Sequence, residues 1–430
     1  MESAFLGGVI EGFYGPPWSQ GERFELFGQM ARWGLNTYLY APKDDPHHRL
    51  WWRKLYGDED AARLKELIVE CRRRSIRFIY ALGPGLDLRY SDHAELACLK
   101  ERIDQLRGLG CVDFALLFDD IPDVMRREDG ERFGTFANAQ CFLANTLFGL
   151  LPAETRFFFC PTPYCGRMAK ALLGGPGYLA EIGEKLAPGI DIFWTGPEIV
   201  SREITVEHVR EMAALLRRKP VIWDNLHAND YDGRRFYCGP YSGRPLELRD
   251  EVRGILSNPN CEFPLNYVPI KTLGNFIRGD QTEPRQQYLD AMGEWLWSFE
   301  TIVGKPLTVE ALVLFGDSFY LPYEDGLEAE WMFAKVKNAV GLGPKVPLPE
   351  LSILKNFCAR LPELSNRPLF YALSRRAWEL REELDLIEKY LARPGDDFRS
   401  DFHLPQTYRG GFVARLQMLL KQNEDGTFTT

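Results

Sequence analysis

The chain has 430 residues, of which 45% are hydrophobic, 13% aromatic and 26% charged, a composition that excludes wholesale disorder. Its length suits two or three domains, or one barrel-sized domain with an appendage. With 52 basic and 61 acidic residues the net charge is −9, which speaks against the basic footprint used on nucleic acid or an anionic membrane.

The first two-thirds repeats one rhythm, a short apolar run, a polar turn and a longer amphipathic stretch. The apolar runs are Leu6 to Ile10, Asn36 to Ala41, Ile76 to Leu82, Asp113 to Phe118, Arg156 to Cys160, Asp191 to Trp194, Val221 to Trp223 and Cys261 to Phe263. Short, β-branched or aromatic runs of this kind predict buried parallel strands. Between them Phe24, Phe27, Met30 and Ala31, then Leu64, Leu67, Ile68 and Cys71, then Leu99, Ile103 and Leu106 fall at helical spacing. Alternating strands and helices with about eight repeats predict an α/β chain with a (β/α)8 barrel over residues 1–291. The competitor, a doubly wound open sheet, lacks its GxGxxG fingerprint; Gly83-Pro84-Gly85 does not extend to one.

From Met292 onward strand-like runs become scarce. Glu330 to Ala339, Leu351 to Leu361 and Leu369 to Leu391 read as helices, so residues 292–430 are expected to form an all-α domain, with a Gly/Pro connector at 341–349. Trp378, Leu380, Leu384, Ile387 and Leu391 make a heptad-like stripe, read first as packing between helices and second as a subunit interface.

Nine cysteines without a CxxC pair give neither a zinc ribbon nor a dithiol redox site, and read as free thiols in a reducing compartment. Met1 to Leu6 has no basic region, Glu11 interrupts the apolar stretch that follows, and no uncharged run approaches the roughly 18 residues of a membrane span. A cytoplasmic location is expected, with no membrane and no nucleic acid as partner.

Barrel chemistry sits where strands end at their carboxyl side. The residues there are Glu11 to Gly15, Pro42 to Asp45, Asp119 to Pro122, Pro161 to Tyr164, Thr195-Gly196, Asp224 to Asp230, and Asn266-Tyr267 after the eighth run. Carboxylates and amides beside aromatic rings suit a sugar: fixed partners for hydroxyls and an apolar plane for the ring. Asp119-Asp120 is the centre of this reading. The dipeptide alone is weak, since Asp44-Asp45 and Asp396-Asp397 also occur. Placed after the buried run Phe114 to Phe118, both carboxyls emerge at the rim, and one is expected to titrate high beside its ionised neighbour. A protonated acid beside a carboxylate is the apparatus for breaking glycosidic bonds. Consecutive side chains diverge, so one reaches the leaving oxygen while the other can hold a substrate group that itself attacks, such as a 2-acetamido carbonyl closing to an oxazoline.

At these residues the chain resembles glycoside hydrolase family 84, the O-GlcNAc hydrolases. The resemblance runs through Gly8 to Gly15, Tyr40 to Asp45, Phe118 to Ile121, Cys160 to Cys165, Trp194 to Pro197, Ile222 to Asp232 and Asn258 to Phe263, and continues in Phe319 to Glu324 and Ser400 to Pro405, which are similar to the stalk of animal-type members. It implies that Asp119 orients and polarises the acetamido group, while Asp120 protonates the leaving Ser or Thr oxygen and then deprotonates water. It implies further that Gly12, Lys43, Asp230 and Asn266 hold sugar hydroxyls, and that Tyr164, Trp223 and Asn225 enclose the acetamido group. The expected activity is a retaining, substrate-assisted β-N-acetylglucosaminidase acting on O-GlcNAc-modified proteins. Alternatives are an enzyme for GlcNAc-containing glycans, hyaluronan or chitin fragments, and a non-catalytic sugar-binding protein. The resemblance also suggests a homodimer through the helical domain, with Trp378 as a contact. Against animal-type members the chain departs in length, with a short connector replacing a long insertion.

His227 beside Asp224 and Asp230 invites a metal reading, but the other five histidines do not follow strand ends. No metal and no cofactor are expected, and no Cys-His pair at the rim points to thiol catalysis.

Overall fold

A computed structural model describes residues 5–122, 124–340, 348–391, 411–418, 421–422 and 428–429. Most of the 341–349 connector and the stretch 400–405 therefore lie outside the described residues.

Eight parallel strands close on themselves in chain order. They are β1 (Leu6–Glu11), β2 (Thr37–Tyr40), β3 (Arg77–Leu82), β4 (Asp113–Leu117), β5 (Phe157–Cys160), β6 (Ile190–Trp194), β7 (Val221–Asp224) and β8 (Gly254–Ser257). Closure comes from β1, which pairs with β2 through Gly8 and Thr37 and with β8 through Leu6 and Gly254. Parallel neighbours require a crossover, and helices such as Gln20–Trp33, Asp58–Arg73 and His93–Gly108 supply it. The first of these starts in a full capping box, Ser19 accepting from the Glu22 amide while the Glu22 carboxylate accepts from the Ser19 amide.

The eighth strand corrects the sequence reading. Residues 261–263 were expected to form it, yet Phe263–Leu265 is a single 3-10 turn and the strand lies at Gly254–Ser257. Glycine there reads as a strand breaker. In the barrel it is the residue that lets β8 approach β1, because a Cβ on Gly254 would lie 2.4 Å from Leu6 Cβ.

Chain contacts divide the molecule into two compact units. One runs to Tyr231 and adds Tyr241–Phe263 and Pro269–Pro284; the other holds Asp232–Pro240, Pro264–Val268 and the chain from Arg285. In the second, helices Val309–Asp317, Leu327–Val340, Pro349–Arg360 and Arg367–Leu391 surround buried Phe315, Phe357, Leu384 and Ile387. Asp317 accepts two bonds from Arg285, at 2.6 and 2.8 Å, and one from the Glu328 amide at 2.8 Å, capping the helix that begins at Leu327. Leu380, Leu384 and Ile387 are buried, but Trp378 is 61% exposed and leaves the stripe. Two residues along a helix turn about 200°, to the opposite face.

Candidate active site

The interior of the barrel is built from every second residue of each strand. Ile10, Leu39, Ala41, Ala115, Leu117, Phe193, Val221 and Trp223 belong to one buried cluster. Carrying that alternation two residues beyond Ile10, Ala41, Leu117, Phe193 and Trp223 brings Gly12, Lys43, Asp119, Thr195 and Asn225 to the same axis. All five line one cavity of about 290 Å³, together with Tyr14, Asp120, Tyr164, Trp223, Asp230, Tyr231 and Asn258. The volume lies just under the roughly 300–1,000 Å³ of small-molecule sites, room for about one sugar ring and a substituent.

Asp119 and Lys43 are both buried at the cavity floor, the ammonium bonded to Asp119 Oδ2. No protein donor among the described residues bonds Oδ1. Of the two adjacent acids, Asp119 is the one held ionised. Burial does raise it, but Lys43, through charge and hydrogen bond, and more weakly Arg49 hold it below the ordinary carboxylate range. Lys43 is held charged by the same pair despite its own burial. Below them His48 is fully buried, with Nδ1 on the Ala81 carbonyl at 2.8 Å; burial, then the Lys43 charge, lower it to about 4 and keep the ring neutral.

Asp120 has the opposite parity and is exposed at the mouth, with a left-handed backbone at φ 50°. Its carboxylate accepts from the Tyr14 hydroxyl at 2.9 Å and the Tyr164 hydroxyl at 3.1 Å. Burial and the Asp120 charge push both phenols above their usual range, Lys43 only partly countering this at Tyr14, so both remain donors. Arg49 donates to the Tyr14 hydroxyl at 2.6 Å and also to the Asp120 carbonyl. The Tyr14 amide donates to Asp230 Oδ2 at 3.0 Å, tying that carboxylate to the same loop.

On the far wall the Trp223 indole N–H donates to Asn225 Oδ1 at 3.1 Å, which also accepts from Asn258 at 3.0 Å. The Asn225 amide nitrogen donates to the Ile199 carbonyl at 2.8 Å. Trp223 thus stands with its plane fixed, and Cys160 lines the floor as a buried thiol.

Of the residues singled out from sequence, Gly12, Lys43, Asp119, Asp120, Tyr164, Trp223, Asn225 and Asp230 line this cavity. Asn266 was read as the rim position of the eighth strand; with that strand ending at Ser257, the rim position falls to Asn258, and Asn266 is a buried residue of the second unit. Two rim acids are structural. Glu11 is fully buried against Arg23, at 2.9 and 2.7 Å, and the Trp18 amide at 3.0 Å. Asp224 takes two Arg244 bonds and the Tyr241 hydroxyl, each at 2.7 Å, which leaves it no place as a metal ligand beside His227. Arg49 was missed. It stands in an irregular segment where sequence offers no periodicity, and its one signal was position, six residues after Lys43 on the same loop.

A family model described as beta-N-acetylglucosaminidase matches residues 7–316. Protein O-GlcNAcase of Rattus norvegicus and that of Mus musculus are each 49% identical over 282 residues, covering 66% of this chain and 31% of theirs. The chain thus spans about a third of the length of these curated relatives. Among solved structures, a mutant O-GlcNAc hydrolase of Thermobaculum terrenum matches with a TM-score of 0.78 at 29% identity, covering 88% of this chain and 83% of that one. A structure named CpGH84B matches with a TM-score of 0.73 at 23% identity over 89% of this chain and 68% of its own, a likeness of fold alone.

Proposed function

The chain belongs to the beta-N-acetylglucosaminidase family, glycoside hydrolase family 84, and from that premise we propose that it is a retaining, substrate-assisted β-N-acetylglucosaminidase that removes O-GlcNAc from serine or threonine of proteins. One observation carries this reading. A buried, ammonium-paired carboxylate, Asp119, stands next in sequence to a mouth carboxyl, Asp120, that is bound by two phenol hydroxyls, and both line a cavity of single-sugar size.

In the first step the acetamido carbonyl oxygen attacks the anomeric carbon while the bond to the serine or threonine oxygen breaks. The Asp120 proton passes to that oxygen. The acetamido N–H acquires positive character as the oxazoline ring closes, and the ionised Asp119 accepts its hydrogen bond through Oδ1, with Lys43 keeping the carboxylate charged. In the second step Asp120 takes a proton from water, the hydroxyl adds to the anomeric carbon, and the oxazoline opens. Two displacements at one carbon give net retention. Trp223 offers a fixed apolar face to the closing ring.

A GlcNAc-bearing serine peptide followed by NMR tests the reading: the β anomer forms first, and an α product first overturns retention. Successive fluorination of the acetamido methyl lowers the rate stepwise, and a flat series removes substrate assistance. Faster turnover of a chitin or hyaluronan disaccharide than of the glycopeptide transfers the activity to glycans. We also propose action in the cytoplasm, supported by nine free thiols. Self-association through the helical unit is proposed on exposed Trp297, Trp331, Tyr371 and Trp378; a monomer by light scattering at micromolar concentration overturns it.

A further inference from the structure

We propose that Arg49 is a positioning residue for Asp120, fixing the carboxyl at the cavity mouth by holding its peptide carbonyl and its tyrosine partner at once. The inference rests on the acid/base reading of Asp120 given above.

The geometry is a closed circuit. Arg49 Nη2 donates to the Asp120 carbonyl, Arg49 Nη1 donates to the Tyr14 hydroxyl at 2.6 Å, and that hydroxyl donates to Asp120 Oδ2 at 2.9 Å. A guanidinium can close it because its donors are arranged in a rigid planar fork, whereas an ammonium is a single point. Two costs of the site explain why such a clamp is useful. Asp120 is a non-glycine residue at φ 50°, a conformation that persists only where its surroundings over-determine it. It is also exposed, so nothing but hydrogen bonds limits its rotamers. With its carbonyl held, the left-handed turn is fixed; with Tyr14 held, the carboxyl is fixed.

Arg49 itself stands on pinned backbone. The preceding residue, His48, is fully buried, donates from Nδ1 to the Ala81 carbonyl and accepts from the Gly83 amide at 3.0 Å. The Arg49 guanidinium lies over the Tyr14 ring at 5.7 Å, while Lys43 approaches the same ring at 5.9 Å, so two cations help hold Tyr14 in place. A donor on the phenol oxygen strengthens the proton that the phenol gives onward, since linked hydrogen bonds polarise one another. Arg49 therefore acts on the proton-transfer group without touching the sugar.

The test compares substrates that need protonation with those that do not. Arg49→Met in the full chain is assayed on a GlcNAc-serine peptide and on a dinitrophenyl β-glycoside, with Asp120→Asn run in parallel. General acid help is worth roughly 10²–10⁴-fold, and misplacing the acid forfeits part of it. The expected result is a fall of about 30-fold in kcat/KM on the peptide and less than about 3-fold on the activated glycoside. Arg49→Lys recovers only part of the loss. Equal losses on both substrates, no loss, or full recovery with lysine overturns the assignment. If Asp120→Asn discriminates between the substrates and Arg49→Met does not, only the Arg49 inference fails. If Asp120→Asn does not discriminate, the acid reading beneath it fails as well.

Discussion

Strand β4 carries a buried carboxylate just beyond its inner apolar run at one end and as its first residue at the other, and their surroundings differ in kind. Asp113, at the amino end, accepts from the Arg156 amide at 2.8 Å and pairs with Arg77, a half-exposed partner. Burial raises its carboxyl and these partners only partly offset the rise. Asp119, at the carboxyl end, pairs with a buried ammonium and is held low. The cavity beside Asp113 measures about 570 Å³ against about 290 Å³ at Asp119, so volume does not mark the reactive end. Around Asp113 the arginines are spent on protein acceptors: Arg156 on Asp191 at 2.6 Å, Arg72 on the Gly110 carbonyl at 2.9 Å. At the other end one Asp119 oxygen is left without a protein donor among the described residues, and the Asp120 carboxyl is held by two neutral hydroxyls. Chemistry is placed where hydrogen bonding is deliberately incomplete.

The largest effect expected from this contrast is Asp119→Asn, which removes the negative charge facing the acetamido group. Loss of one such electrostatic partner costs roughly 10²–10³ in kcat, and the loss is expected on activated and unactivated glycosides alike; the change also leaves the Lys43 ammonium buried without its carboxylate, so the melting temperature falls as well. Asp113→Asn is the counterpart: its surroundings already favour the neutral carboxyl and its partner Arg77 has a side chain 37% exposed, so stability changes by less than about 1 kcal/mol, with activity per folded molecule unchanged. Initial rates and melting curves on both variants check this. An activity loss at Asp113→Asn comparable with that at Asp119→Asn would break the comparison.

A smaller effect is expected in the pH profile. With Lys43 present, Asp119 remains ionised to below the ordinary carboxylate range, so it does not set the acid limb of kcat/KM near neutrality. In Lys43→Met the burial of Asp119 is no longer opposed by a neighbouring ammonium. Its carboxyl then titrates higher, and the acid limb moves to higher pH, with a rate loss of about 10²-fold even on the plateau. A profile measured from pH 4 to 8 checks the sign. An acid limb that stays in place shows that Lys43 does not govern the ionisation of Asp119.

Much of this was legible because strand periodicity carries past the strand. Once Ala115 and Leu117 face inward, Asp119 must follow, and Leu39 and Ala41 do the same for Lys43. What periodicity does not carry is partnership. Glu11 and Asp224 stand at rim positions, yet Arg23 and Arg244 reach them from other elements and make them structural. Nor does it carry close approach: Gly254 looks like a break in a strand but is the contact that closes the barrel, and misplacing β8 moved the rim assignment to Asn266. Arg49 acts from an irregular loop through its two ends, a pairing no linear pattern encodes.

The smallest effect expected is steric, and it asks whether the wall of the pocket is as rigid as its floor. Gly12 follows β1 on the inward side, and a Cβ there would lie 2.6 Å from Trp223 Cζ2 and 2.8 Å from Ile10 Cγ2. Ile10 is fully buried in the barrel core and cannot withdraw. In Gly12→Ala the indole must therefore give way, and its N–H then loses alignment with Asn225, which is itself tied to Asn258 and the Ile199 carbonyl. The nearest neighbours of the added Cβ belong to Trp223 and Ile10, not to either carboxyl or to Lys43. The expected outcome is a KM for GlcNAc glycosides raised by about 10-fold with kcat changed less than about 3-fold, because a displaced wall weakens ground-state and transition-state binding together. Steady-state kinetics decide it. An unchanged KM means that the Trp223 face does not contact the sugar, whereas a fall in kcat of the size expected for Asp119→Asn means that wall and floor move as one body.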